Sequence, residues 1–188
     1  MDADKSERND IETVMDGLGE VGKSSLSPTV SVVMSVYNGE AHLGETIQSI
    51  LDQTFTDFEF IIIDDGSTDE TATILAEYSK RDGRIQIHHQ ENQGLTKALI
   101  RGCSLAKGEF IARQDAGDLS LPSRLDIQYR KLLDEKEAVM VASGAKFFTP
   151  EGELLFEVCT AADKLDKGLR NLNFGKLKGP PHHGGTMF

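Results

Sequence analysis

Three clusters in this chain carry residue types able to do chemistry on a ligand: Tyr37-Asn38-Gly39, Asp64-Asp65-Gly66 and Asp115-Ala116-Gly117-Asp118. The middle cluster ends an apolar run, Phe60-Ile61-Ile62-Ile63, of the kind found in strands buried on both faces of a parallel sheet. Open α/β sheets bind ligands outside the carboxyl ends of their strands. Two acids placed there suit ligand hydroxyls, ring N–H groups or a metal better than bare phosphate. Gly66 permits a tight turn, and Ser67 with Glu70 three residues later reads as a capping box that opens a helix. Asp69 and Glu70 are then acids favoured by the positive end of that helix, whereas Asp64 and Asp65 are candidates for ligand contact. Carboxylates from separate strands can jointly hold Mg²⁺, which takes one or two protein carboxylates and completes its shell with phosphate oxygens and water.

The elements that must position these clusters alternate strand with helix. Val30 to Val36 reads as a strand, and Glu40 to Gln53 as a helix with Leu43, Ile47, Ile50 and Leu51 on one face. Phe58 to Ile63, Arg84 to His88 and Glu109 to Arg113 are further strands, separated by helices over Asp69 to Arg81 and Leu95 to Ala106. Pro122 to Lys136 is a helix with proline in its first turn. Ala138 to Phe148 and Glu153 to Val158 read as strands around the turn Thr149-Pro150-Glu151-Gly152, and a short helix follows Ala161. This order predicts an α/β fold, a mostly parallel sheet flanked by helices and joined by right-handed crossovers.

The 188 residues suit one domain over 28–188, preceded by a polar, flexible leader over 1–27. A net charge of −11 argues against non-specific nucleic-acid binding, which needs a basic surface. Cys103 and Cys159 form neither a disulfide framework nor a metal-ligand pattern, which points to a reducing compartment. No apolar run reaches bilayer length and the N-terminus is no signal peptide. The expected location is the cytoplasm, the membrane periphery included. Within the leader, Gly17 to Ser24 matches the P-loop pattern letter for letter. A P-loop needs a strand before it and a helix after it, so that amides cradle the phosphates. Pro28 and a new strand leave no room for that helix, and the match is set aside.

Taken in order, the pieces resemble the nucleotide-sugar-dependent glycosyltransferases of family 2, which have the GT-A fold. They are Val32 to Gly39, Ser49 to Phe55, Ile62 to Asp69, Glu91 to Leu95, Lys107 to Asp118 and Pro122 to Leu125. The resemblance implies a Rossmann-like GT-A domain that transfers a sugar, with inversion, from a nucleoside-diphosphate donor, a UDP-sugar being favoured. Polysaccharide or cell-wall biosynthesis would be its setting, and the acceptor a saccharide or a lipid-linked one. It implies that Val36, Tyr37, Asn38 and Asp65 line the base, with Asp64 nearby. Asn92, Gly94 and Lys97 would border the nucleotide, and Arg113 leads into the metal motif, where Asp115 is the first acid of a D-x-D. For Lys97 a solvated helix face fits as well, and for Arg113 so does a pair with a neighbouring acid. The implied cofactor is a divalent cation, Mg or Mn.

Two departures from the family pattern stand out. The usual Asp-Ala-Asp-Asp reads Asp115-Ala116-Gly117-Asp118, so the second acid of D-x-D is a glycine. Asp118 is the candidate substitute ligand, although it also suits a helix cap. The family also continues beyond a segment like His183-Gly184-Gly185-Thr186-Met187-Phe188, and the base that takes the acceptor proton lies there. The acceptor part of the fold is therefore expected to be incomplete at the C-terminus. His182 and His183 read as loop residues or ligand-side contacts, and His88 and His89 as structural. The alternative to a transferase is a non-catalytic nucleotide-binding module or an inactive fragment.

Overall fold

The computed structural model describes residues 27–149, 151–159 and 185–188. The leader up to residue 26, with its P-loop-like match, lies outside these, as do Pro150, the helix expected after Ala161, and His182 and His183.

The sheet is built from β1 (Val30–Val36), β2 (Phe58–Asp64), β3 (Ile85–His89), β4 (Phe110–Asp115), β5 (Val141–Ala142) and β8 (Thr186–Met187), in the order β3-β2-β1-β4-β8-β5. The first four pair in parallel, and β8 pairs antiparallel with both β4 and β5. The helices are α1 (Leu43–Leu51), α2 (Thr71–Arg81), α3 (Leu95–Leu105) and α4 (Arg124–Asp134). Strand order runs outward from β1 to β3 and then reverses to β4, so the topological switch point lies between β1 and β4.

Alternation along β1 and β2 divides the core between two faces. Val32, Met34, Phe60 and Ile62 meet Leu43, Ile47 and Ile50 of α1, Leu75 of α2 and Leu125 of α4. Val33, Ile61 and Ile63 on the other face meet Ala98, Leu99 and Cys103 of α3. Burying each of these large aliphatic side chains contributes about 2 kcal/mol. Gly102 lets α3 approach closely, since a Cβ there would lie 2.5 Å from Val33 Cγ1.

The structure departs from the sequence reading in three places. Helix α2 starts at Thr71 with Glu70 at its N-cap and no side-chain cap, so the Ser67–Glu70 capping box does not form. The strand expected over Ala138 to Phe148 breaks into β5, which joins the main sheet, and β6 (Ala145–Phe148), which pairs with β7 (Leu154–Val158) in a separate ribbon. The break falls where the Ser143 amide donates to Gly185 O and Gly144 passes close to Val158 O. Finally, the segment around Thr186 becomes a core strand, with Met187 fully buried and Gln128 of α4 donating to Gly185 O at 2.6 Å.

Candidate functional site

Parallel pairing aligns the three clusters. Val36 lies opposite Asp64 and Ser35 opposite Asp115, so the ends of β2, β1 and β4 form one continuous edge. Two of its loops are bound reciprocally. Asn38, at φ 51°, donates its amide to Ser67 Oγ at 3.0 Å and accepts from the Thr68 amide at 2.8 Å. Gly39 N–H donates to Thr71 Oγ1, Glu40 N–H to Asp69, and Glu70 N–H to Glu40. Ser67 and Asp69 thus hold the Tyr37 loop rather than acting only on their own helix. Tyr37 itself is half exposed.

Asp64 and Asp65 are both buried. Asp64 accepts from the Ser67 amide at 3.0 Å and lies 2.9 Å from His89 Nδ1. Asp65 Oδ1 accepts from Gln90 Nε2 at 2.6 Å and the Gln93 amide at 2.9 Å, and Oδ2 accepts from the Gly94 amide at 2.8 Å. Burial pushes this carboxyl up, but the bonds from Gln93, Gln90 and Gly94 outweigh it and leave its pKa below the ordinary value. Asp65 therefore organises the 90–94 loop, which places Asn92 and Gly94 beside the strand ends. Gly66 is required here: its φ is 79° and a Cβ would lie 2.7 Å from the Asn92 nitrogen. Asn92 and Lys97, in the first turn of α3, are exposed.

The end of β4 is built differently. Arg113 Nε donates to Asp115 Oδ1 at 2.8 Å, and both side chains are partly exposed. Arg113 also lines a depression of about 490 Å³ beside α3, with Leu95, Leu99 and Cys103. Gln114 points the opposite way, is buried, and donates to the carbonyls of Asp115 and Asp118. Gly117 adopts φ 95°, and its amide donates to Thr46 Oγ1 of α1 at 3.0 Å. Asp118 acts on Arg124, whose guanidinium is buried and donates to Arg113 O at 3.0 Å. Burial pulls the Arg124 pKa down to about 10, against an opposing pull from Asp118.

The edge thus brings together Val36, Tyr37, Asn38, Asp64, Asp65, Asn92, Gly94, Arg113, Asp115 and Asp118. Sequence reasoning missed Thr46, Gln90, Gln93, Gln114 and Arg124, which hold the loops. Gln114 carried a signal, a polar residue at the inward phase of β4 beside Ala112, whereas the others act through contacts distant in sequence.

Comparison with known proteins decides the family. The description "Glycosyl transferase family 2" matches residues 31–174, well over half of the chain. The chain belongs to this family. Among curated relatives it is 37% identical to the O-antigen biosynthesis glycosyltransferase WbnJ of Escherichia coli, over 69% of this chain and 51% of WbnJ. It is 32% identical to the glycosyltransferase GlyG of Streptococcus pneumoniae, over 71% of this chain and 44% of GlyG. The chain therefore spans about half the length of these curated relatives. The S. aureus TarS 1-349 structure in complex with UDP-GlcNAc has a TM-score of 0.55 at 26% identity, over 61% of this chain and 33% of that one. The mannosyltransferase PcManGT of Pyrobaculum calidifontis, in complex with GDP-Man and Mn2+, has a TM-score of 0.55 at 21% identity, over 68% of this chain and 37% of that one. The fold is GT-A. Among the described residues, no helix is long and apolar enough to cross a membrane.

Proposed function

We propose that residues 28–188 form the donor-binding part of an inverting glycosyltransferase that takes a nucleoside-diphosphate sugar, with UDP-sugars favoured. The observation that carries the reading is the register that sets Asp64 opposite Val36 and Asp115 opposite Ser35. The acids of β2 and β4 thus flank the end of β1 at the switch point, where open α/β sheets bind nucleotides. The likeness to TarS, solved with UDP and with UDP-GlcNAc, supports it. In this reading the Tyr37 loop and the Asp65-held 90–94 loop enclose the base and ribose. Arg113, Lys97 and Asp115 lie toward the diphosphate.

The residues present fit a divalent cation held by one carboxylate and completed by donor phosphates, as Mg²⁺ sites commonly are. They do not fit an all-protein cage. Gly117 offers no ligand, Asp118 lies in the field of the buried Arg124 guanidinium, and no group of three or more His, Cys, Asp or Glu side chains is poised for a metal among the described residues. Asp115 would hold the ion, which when bound neutralises charge developing on the leaving nucleoside diphosphate. The acceptor hydroxyl, from a saccharide or a lipid-linked saccharide, attacks the anomeric carbon and gives its proton to a base. We place that base in the portion of the relatives' length that this chain does not span.

Calorimetry with UDP, GDP and dTDP, with and without Mn²⁺, tests the site, and absence of binding to all three would refute the reading. A second reading, binding without transfer, is favoured by Gly117, which removes an acid from the D-x-D position. Donor hydrolysis by a chain that binds nucleotide would exclude it.

A further inference from the structure

Arg113 and Asp115 are two residues apart on β4, so their side chains share one face. Their bond uses Arg113 Nε and Asp115 Oδ1, with 22% and 33% of the side chains exposed. The partner distinguishes this pair from the other acid of the turn. Asp118 acts on Arg124, which is buried and tied by its own hydrogen bond to Arg113 O. With glycine at 117, Asp115 is the first acid of the 115–118 turn, and both its carboxylate and its arginine partner are partly exposed to solvent-borne ions.

A guanidinium and a divalent cation cannot both sit against one carboxylate without strong mutual repulsion. A guanidinium freed from a carboxylate is in turn well suited to phosphate, which it binds with the same planar fork of donors. We propose that Arg113 is an exchangeable partner of Asp115: it yields the carboxylate to a divalent cation arriving with the donor, and turns its guanidinium to the donor diphosphate. Arg113 is a positioning residue for the cation and a binding residue for the diphosphate. The inference rests on the donor-site reading above and assigns this arginine its role there. It follows that cation and nucleotide bind cooperatively, because each is held poorly while Arg113 occupies Asp115.

The test measures Mn²⁺ alone, by electron paramagnetic resonance, with the wild-type chain, R113Q, R113K, and R113Q combined with D115N. R113Q should bind Mn²⁺ about two- to fivefold more tightly than wild type, the range expected when a partly exposed ion pair no longer competes. R113K, which keeps the charge without the fork, should fall between them. The gain should vanish in the double variant. In parallel calorimetry with UDP and Mn²⁺, R113Q should lose about tenfold in UDP affinity through loss of a charge-assisted contact. Unchanged or weaker Mn²⁺ binding by R113Q overturns the proposal, and so does a gain that survives D115N. Thermal melts verify folding; should R113Q fail to fold, Arg113→Met, which retains the apolar stem beside α3, is read by the same criteria. If the wild-type chain binds no nucleotide, the donor-site reading falls, while the Mn²⁺ arms still decide the exchange.

Discussion

The ends of β2 and β4 both present acids to the same sheet edge, yet they are held by opposite means. At the β2 end, Asp64 and Asp65 are buried and accept from backbone amides and amide side chains. The loops around them are tied to the Tyr37 loop by reciprocal bonds. At the β4 end, Asp115 is paired with a partly exposed arginine, and the next acid position is a glycine. Amide donors are fixed by the chain fold and give a wall that is already built, whereas a partly exposed guanidinium can be displaced by another cation. The first region therefore provides shape, and the second provides exchangeable charge.

Substitutions at the β2 end should break this contrast most severely. Asp65→Ala leaves three donors of the 90–94 loop without their acceptor and should cost about 3 kcal/mol in urea unfolding, with faster amide exchange at Gln93 and Gly94. The same carboxylate sets an acid dependence. Its native pKa lies below the ordinary 3.8, so its contribution is complete above that value and is lost as pH falls through the native pKa. Acid unfolding of Asp65→Asn should therefore be flatter than wild type below about pH 4. Gly66→Ala comes next, at about 2 kcal/mol, because the left-handed φ and the 2.7 Å approach to Asn92 both oppose a Cβ.

Gly117→Asp probes the β4 end. A Cβ there meets nothing within 4 Å, so only the φ of 95° opposes it, at about 1 kcal/mol. The variant should unfold slightly earlier yet show nucleotide binding with greater dependence on Mn²⁺, read by calorimetry with and without the ion. Ser67→Ala should have the smallest effect, about 0.5 kcal/mol, and sharpens the contrast by its location. Exchange should quicken at the Asn38 amide while the first turn of α2 is unaffected, the reverse of what a helix cap would give.

Much of this architecture was legible from local pattern. The β-branched run into Asp64, the single-face spacing of Leu43, Ile47 and Ile50, and the strand–helix alternation specified four parallel strands and the ends at which acids gather. Ser67 with Glu70 misled because a capping box is a local rule, and the Ser67 hydroxyl met a better donor in Asn38, from a loop distant in sequence. Thr186 and Met187 gave too short an apolar signal to read as a strand. Their pairing with β4 and β5 joins segments distant in sequence, beside the bond from Gln128 of α4 to Gly185 O.

By itself, the sequence determined which residues would stand at strand ends, since apolar periodicity and turn chemistry act over a few neighbours. It also determined that position 117 carries no carboxylate. Only the tertiary structure decided what each acid does, because hydrogen bonds and ion pairs depend on which loops meet. Asp65 became the anchor of the 90–94 loop, Asp118 the companion of a buried arginine, and Asp115 the acid whose partner can be exchanged.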